Sequence, residues 1–168
     1  MGERVSCVVG DFCALPDALG QTDAAYTIEA FAHGAGARPF FAEAARLVVP
    51  GGLLAVCDDF LRETNDPAAA ITVDQFRRGW RLNALVTVSE VPAAAARAGF
   101  VHERTTELTP WLKLDRPRER SLALLSLLLG QVPWLPQRTG RFLGGSALRH
   151  GLRRGWIGYD LLLFRRTG

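Results

Sequence analysis

The chain has 168 residues, of which 48% are hydrophobic and 22% are charged, as is ordinary for one globular domain. Its formal net charge of +3 is too small to indicate a nucleic-acid partner. No apolar run reaches the roughly 18 residues that span a bilayer, and the polar start does not resemble a secretory signal. We therefore expect no membrane partner.

The three cysteines, Cys7, Cys13 and Cys57, are odd in number and show no metal-binding spacing such as C-x-x-C. Cys7 and Cys57 lie inside apolar, strand-like runs, so we expect both to be buried free thiols. Free thiols suit a reducing compartment, which predicts a cytoplasmic location.

The first third of the chain has the pattern of strands around a helix. Short apolar runs at residues 5–9 and 24–28 predict two buried strands. Pro39 suits the first turn of a helix, and the Pro50-Gly51-Gly52 turn ends that helix before a third buried strand at 53–57. This order of hydrophobic strands and a helix predicts an α/β fold with a parallel sheet.

The rest of the chain alternates between helix and strand patterns. Thr72 and Gln75 form a T-x-x-Q capping box, which predicts a helix from about residue 73 to 82. Further elements are predicted from local composition: an alanine-rich helix at 92–98, a strand at 100–108, a helix at 120–129, an irregular glycine-rich segment at 134–155 and a last strand at 156–164.

Polar residues follow each of the first three predicted strands: Asp11, then Glu29 and His33, then Asp58 with its neighbour Asp59. Ligands bind in open α/β sheets at the carboxyl ends of the strands. An imidazole with a pKa near 6.5 is suited to remove a proton from a substrate, and Asp58 is placed to orient it or share that role. Alternatively, these are ordinary loop residues, and Asp59 is interpreted as a solvated neighbour.

Three motifs, in this order, carry a family resemblance: Gly10-Asp11-Phe12 with Leu15-Pro16-Asp17, DAAYTIEAFAH at 23–33, and RLVVPGG at 46–52 before a strand reaching Asp58. Together they resemble class I S-adenosylmethionine-dependent methyltransferases. The resemblance is closest to the small-molecule, type 11-like branch, which includes sterol, tocopherol and natural-product sugar methyltransferases. It covers nearly the whole chain and is loosest between residues 108 and 155.

The resemblance implies a fold, a cofactor and roles for particular residues. It implies a Rossmann-like sheet of order 3-2-1-4-5-7-6 with mixed C-terminal strands, and S-adenosylmethionine as cofactor. The Asp11 carboxylate would accept a hydrogen bond from the adenine amino group, and the Phe12 backbone N–H would contact the ring. Glu29 would lie on the cofactor side of the site, with His33 and Asp58 as the catalytic pair. No metal ligand is implied.

One part of the family pattern is absent from these 168 residues. Family members begin with a strand, an E-x-G-x-G-x-G loop against the cofactor's methionine part and a second strand whose terminal acid binds the ribose. No G-x-G-x-G occurs before Asp23. We therefore expect residues 1–168 to form a single, N-terminally truncated methyltransferase domain, with 109–155 as a helical lid or insertion. The strand at 5–9 would then lack its neighbours, and unpaired backbone groups are costly to bury.

The sequence leaves its enzyme status open. The first hypothesis is S-adenosylmethionine-dependent methyl transfer to a small-molecule acceptor, impaired in the truncated chain. The alternative is a non-catalytic remnant or partner-binding module that covers its open sheet with a second copy or a complementing chain. A third hypothesis, an anion-binding or nucleic-acid-binding face, rests on seven arginines against one acid from Gln131 onward, for which a solvated face is the simpler explanation.

Overall fold

The computed structural model describes residues 5–114 and 136–168, without the side chains of 136–142. Its strands, β1 (Thr22–Ile28), β2 (Val48–Leu61), β3 (Phe100–Glu107) and β4 (Ile157–Arg166), form a sheet of order β1-β2-β4-β3. β1 and β2 are parallel, whereas β4 runs antiparallel to both β2 and β3. This order is that of strands 4-5-7-6 of the family sheet, so the predicted mixed Rossmann-like sheet is confirmed.

Within the described ranges, four helices pack on the two faces of this sheet: α1 (Ala37–Leu47), α2 (Pro67–Trp80), α3 (Val91–Arg97) and α4 (Pro136–Arg154). α1 and α3 cover one face, where buried phenylalanines such as Phe41, Phe60 and Phe164 form the main core. α2 and α4 pack together on the other face, over a second core that contains Phe76 and Ile157. Single 3₁₀ turns follow β1 and β3, at Phe31–His33 and Thr109–Trp111.

The predicted strand at residues 5–9 does not form. This segment has no regular secondary structure and is exposed, with Val9 fully accessible to solvent. Within the described residues β1 is the edge strand and lies next to β2 alone, so the segment finds no strand to pair with and its backbone stays in water. Cys7 is consequently exposed, contrary to prediction, while Cys57 is buried as predicted.

Two helix predictions need correction. α2 begins at Pro67, six residues before the predicted start, because Asp66 caps it by accepting a hydrogen bond from the Ala68 amide at 3.0 Å. Asp followed by Pro is a stronger start signal than the capping box at Thr72, which lies buried inside the helix. The segment predicted to be irregular contains the long helix α4.

The predicted helix at 120–129 falls outside the described residues, and so does much of the 109–155 segment predicted to be a lid. That role therefore stays a prediction. Among the described helices, none is both long enough and apolar enough to cross a membrane.

Glycines in α4 explain how a glycine-rich segment forms a packed helix. A Cβ atom on Gly144 would lie 2.7 Å from the Trp80 ring and 2.9 Å from the Gly79 Cα, whereas a Cβ on Gly145 would have nothing within 4 Å. Gly144 therefore marks the point of closest approach between α4 and α2, and the glycine composition reflects helix packing here rather than a loop.

Alanine at these neighbouring positions is expected to change stability in opposite directions. Gly144→Ala should lower the free energy of unfolding by about 1–3 kcal/mol, because the added methyl group overlaps the α2 backbone. Gly145→Ala should raise it by up to about 1 kcal/mol, the usual gain in helix propensity. Urea unfolding of both variants beside the parent chain checks the pair, and equal shifts would contradict the close contact between helices.

Candidate functional site

Polar residues that follow β1 or lie in the last part of β2 meet at the edge of a cavity of about 320 Å³. It lies between the carboxyl ends of these strands and the helices α2 and α4. Its lining includes polar and charged side chains of Glu29, His33, Asp58, Asp59, Lys113, Arg149 and Tyr159, and apolar side chains of Phe76, Trp80, Leu82, Leu112, Leu114, Leu148 and Leu152. We call this space the site cavity.

Glu29 ends β1 in a left-handed backbone conformation, with φ of 52°. A non-glycine residue in that region carries strain, which structures often retain at functional sites. Its amide donates to the Cys57 carbonyl at 2.9 Å, and its carboxylate accepts a hydrogen bond from the Tyr159 hydroxyl at 3.3 Å. The strained turn therefore directs an acid to the end of the sheet.

Asp58 is buried, with 4% of its surface exposed, and both of its carboxylate oxygens accept hydrogen bonds from nearby backbone amides. One accepts a hydrogen bond from the Ala32 amide at 3.2 Å and the other from the Asp59 amide at 2.8 Å. Burial raises the pKa of Asp58, and these backbone donors oppose the rise. Asp58 therefore anchors the 3₁₀ turn that carries His33.

His33 itself is exposed at the end of that turn. Its carbonyl oxygen accepts a hydrogen bond from the side-chain Nδ2 of Asn83 at 3.1 Å, so the loop before α3 also holds this turn. The structure thus brings together three predicted site residues, Glu29, His33 and Asp58, at one cavity. Their catalytic and cofactor roles stay predictions.

Asp59 lies on the strand face opposite to that of Asp58, because side chains alternate along β2. It is paired across the sheet with Tyr159 of β4 and lines the site cavity. Burial raises its pKa to about 7, and repulsion from Asp58, Glu29 and Asp160 adds to the rise. The interpretation of Asp59 as a solvated neighbour is therefore wrong.

Sequence reasoning missed Tyr159 as a site residue. Burial raises the pKa of its hydroxyl, and hydrogen bonding to Cys57 contributes next, so Tyr159 stays protonated and serves as a donor. Burial also raises the pKa of the Cys57 thiol. The signal that could have found Tyr159 is the register of an antiparallel β4 against β2, which local patterns do not give.

Asp11 and Phe12 lie apart from the residues that line the cavity. The Asp11 carboxylate is exposed and accepts a hydrogen bond from the Cys13 amide at 2.8 Å. The Phe12 ring packs edge-on to Phe40, with ring centres 6.3 Å apart, and covers Gly34 next to His33. Both residues therefore lie at the same end of the sheet as the site cavity, and their binding roles stay predictions.

Within residues 5–114 and 136–168, no group of three or more His, Cys, Asp or Glu side chains is arranged to hold a metal ion.

No family model matches the sequence. Among curated proteins, the methyltransferase GfsG of Streptomyces halstedii is 32% identical over 115 residues, which are 68% of this chain and 40% of GfsG.

Solved structures share the fold at low sequence identity. Geranyl diphosphate C-methyltransferase of Streptomyces coelicolor, crystallised with Mg²⁺, geranyl diphosphate and S-adenosyl-L-homocysteine, has a TM-score of 0.68 at 19% identity, over 95% of this chain and 53% of its own. The cyclase SpnF has a TM-score of 0.65 at 20% identity, over 96% of this chain and 55% of its own. A cyclase among these neighbours shows that the fold alone does not determine the reaction.

The chain spans 40% of the curated relative and about half of the solved structures that it matches. Its strand order, its motifs and its relationship to GfsG agree with one another. The chain belongs to the class I S-adenosylmethionine-dependent methyltransferases, and it contains the half of their sheet that carries strands 4 to 7.

Proposed function

We propose that this chain contributes the acceptor side of an S-adenosylmethionine-dependent methyltransferase that acts on a small molecule. The observation that carries the proposal is the site cavity, where Glu29, His33 and Asp59 meet an apolar wall at the carboxyl ends of β1 and β2. This edge is where open α/β sheets bind ligands, and a cavity of about 320 Å³ is at the small end for ligand pockets.

The residues present fit part of the cofactor. Asp11 offers an exposed carboxylate that a single backbone amide engages within the described residues, which suits an amino group of adenine. Phe12 lies beside it with a backbone N–H free of hydrogen bonds in the same part of the chain. S-adenosylmethionine, when bound, supplies a methyl group on a positively charged sulfur. Because no E-x-G-x-G-x-G loop occurs in these 168 residues, we expect them to bind the cofactor weakly.

The chain's own contribution to the reaction is alignment and proton removal. Holding an acceptor in line with the methyl group accounts for much of the rate in such a transfer. The turn at Phe31–His33 places the imidazole at the cavity, and Asp58 fixes that turn through the Ala32 amide. His33 is thus one candidate base at the cavity.

Calorimetry of the purified chain with S-adenosylmethionine and S-adenosylhomocysteine tests the cofactor part of the proposal. We expect dissociation constants of about 1 mM or weaker, with binding lost in Asp11→Ala and kept in Asp17→Ala, because Asp17 is fully exposed and has no proposed role. Micromolar affinity would contradict the expected impairment. Weak binding that Asp11→Ala leaves unchanged would contradict the role proposed for Asp11.

A partner-binding module is the second candidate function, and the edge of the sheet favours it. β1 carries the exposed side chains Tyr26 and Ile28, which are 79% and 58% accessible. An edge strand with apolar side chains is a surface on which another strand can pair. Sedimentation of the chain, alone and after Tyr26→Lys substitution, separates the candidates, since a monomer at all concentrations speaks against pairing of copies.

A further inference from the structure

The site cavity has two unlike walls. Glu29, Asp59 and Tyr159 come from three adjacent strands and form a polar end. The opposite wall is apolar and comes mainly from α2 and α4, through Phe76, Trp80, Leu148 and Leu152. A cavity with this division fits a molecule that has an apolar body and one polar group.

Asp59 is the acid at the polar end whose oxygens are not already engaged. Asp58 accepts backbone N–H donors, and Glu29 accepts the Tyr159 hydroxyl. The Asp59 carboxylate makes no hydrogen bond within the part of the chain that the structure describes, although it is only partly exposed. A carboxylate that has lost water without gaining a donor is stabilised by a ligand that brings an O–H group.

We propose that the site cavity binds an apolar acceptor through a hydroxyl group, and that Asp59 is the group that receives the hydroxyl proton. The proton-transfer step rests on the proposed function, but the binding does not. In that step the acceptor oxygen forms its bond to the methyl carbon and gives its proton to the Asp59 carboxylate. The electron pair of the broken carbon–sulfur bond stays on sulfur, so the charge of the donor is neutralised.

The charged groups around Asp59 are of both signs. Lys113 and Arg149 also line the cavity. The acids close enough to repel Asp59 are Asp58 on its own strand, Glu29 at the end of β1 and Asp160 on β4. Burial and, after it, repulsion from these acids hold the pKa of Asp59 at about 7, close to the working range of a general base at neutral pH. Among the described residues, the other titratable groups at the cavity are His33 and Tyr159, with Cys57 next to Tyr159.

Fluorescence titration of the chain with naphthalene probes tests the inference without any methyl donor. 2-Naphthol supplies the hydroxyl group, and 2-methoxynaphthalene is the matched probe without a proton to donate. At about pH 8, where Asp59 is ionised, we expect 2-naphthol to bind about tenfold more tightly. At about pH 5.5, where Asp59 is protonated, the preference should fall below about threefold.

Variants test whether the preference for 2-naphthol depends on the Asp59 carboxylate. Asp59→Asn should reduce the preference for 2-naphthol to about threefold or less at both pH values. Asp59→Glu keeps a carboxylate and should keep the pH dependence, and Asp17→Asn, a matched change at an exposed acid, should leave everything unchanged. Thermal melts of each variant show whether it is folded, and the comparison of probes on the parent chain needs no variant.

Several results would overturn the inference: no binding of either probe, equal binding of both, a preference that survives Asp59→Asn, or tighter binding of 1-naphthylmethylammonium than of 2-naphthol. None of these titrations includes a methyl donor. A negative result here would therefore not contradict the proposed methyltransferase function, which the calorimetry tests. A negative result in the calorimetry would likewise not contradict acceptor binding in the cavity.

Discussion

Asp59→Asn is expected to raise the free energy of unfolding by about 2–3 kcal/mol at pH 8 and to leave it nearly unchanged near pH 4. The pKa of Asp59 is about 7 in the folded chain against a model value of 3.8, so the folded state holds this proton more tightly than the unfolded state does. The folded and unfolded pKa values of Asp59 differ by about 3, which corresponds to a charge penalty of about 4 kcal/mol on folding. Partial exposure of the side chain reduces this penalty.

The sign of the pH effect follows from which state binds more protons. Below about pH 4 the carboxyl is protonated in both states, and burial carries no charge penalty. Between about pH 4 and 7 the unfolded chain loses this proton first, so the parent chain becomes less stable as the pH rises. Asparagine has nearly the same shape as the protonated acid and stays neutral, so its advantage appears only above that range.

Urea unfolding of the parent and the variant at about pH 4.5, 6 and 8 measures this difference. Asp17→Asn serves as the control, since the Asp17 side chain is fully exposed and its removal should shift the stability by less than about 0.5 kcal/mol. A gain that is equal at all three pH values would show that Asp59 is not a buried charge. Burial also raises the pKa of Asp58, so the parent's stability depends on pH through both acids. The difference in stability between parent and variant isolates the part that comes from Asp59.

Much of the sheet is predictable from local sequence because β1, β2 and β4 each contain an apolar run. β1, β3 and β4 form near their predicted positions, and the parallel pairing of β1 with β2 follows from the helix between them. The strand predicted at residues 5–9 fails for a non-local reason, since its apolar pattern is ordinary but the described residues offer it no partner. An apolar pattern predicts that a segment can form a strand, but the strand also needs a neighbouring strand with which to pair.

The candidate site shows the same division between local and non-local information. Glu29, His33 and Asp58 could be selected because they follow predicted strands, and the structure places them at one cavity. The contrast between Asp58 and Asp59 could not be predicted, because it depends on which face of β2 each side chain occupies and on the amides of Ala32 and Asp59. Of these adjacent acids on one strand, Asp58 therefore accepts backbone hydrogen bonds and Asp59 faces the cavity.

Gly158→Ala is expected to lower the free energy of unfolding by about 3 kcal/mol. A methyl group at Gly158 would overlap the guanidinium of Arg62, which lies over the strand at that point. Arg62 is held there by two contacts to the Asp160 carboxylate, at 2.7 and 2.8 Å, and Asp160 is 1% exposed. Moving Arg62 leaves a buried charge without its partner, a loss of about 3–5 kcal/mol, and the partial exposure of Arg62 places the value at the lower end.

A double-mutant cycle separates the cost of leaving the buried Asp160 charge unpaired from the cost of steric overlap. In an Asp160→Asn background no buried charge depends on Arg62, so adding Gly158→Ala should then cost about 1 kcal/mol or less, and the two changes should be strongly non-additive in urea unfolding. Gly145→Ala, with open space around its Cβ, is the control for a glycine-to-alanine change. An equal cost of Gly158→Ala in both backgrounds would mean that the strand itself cannot accept the methyl group. A smaller cost of Gly158→Ala in the Asp160→Asn background would instead show that Gly158 is required because Arg62 must cross the strand to neutralise Asp160. This ion pair lies on the face of the sheet opposite to Asp59.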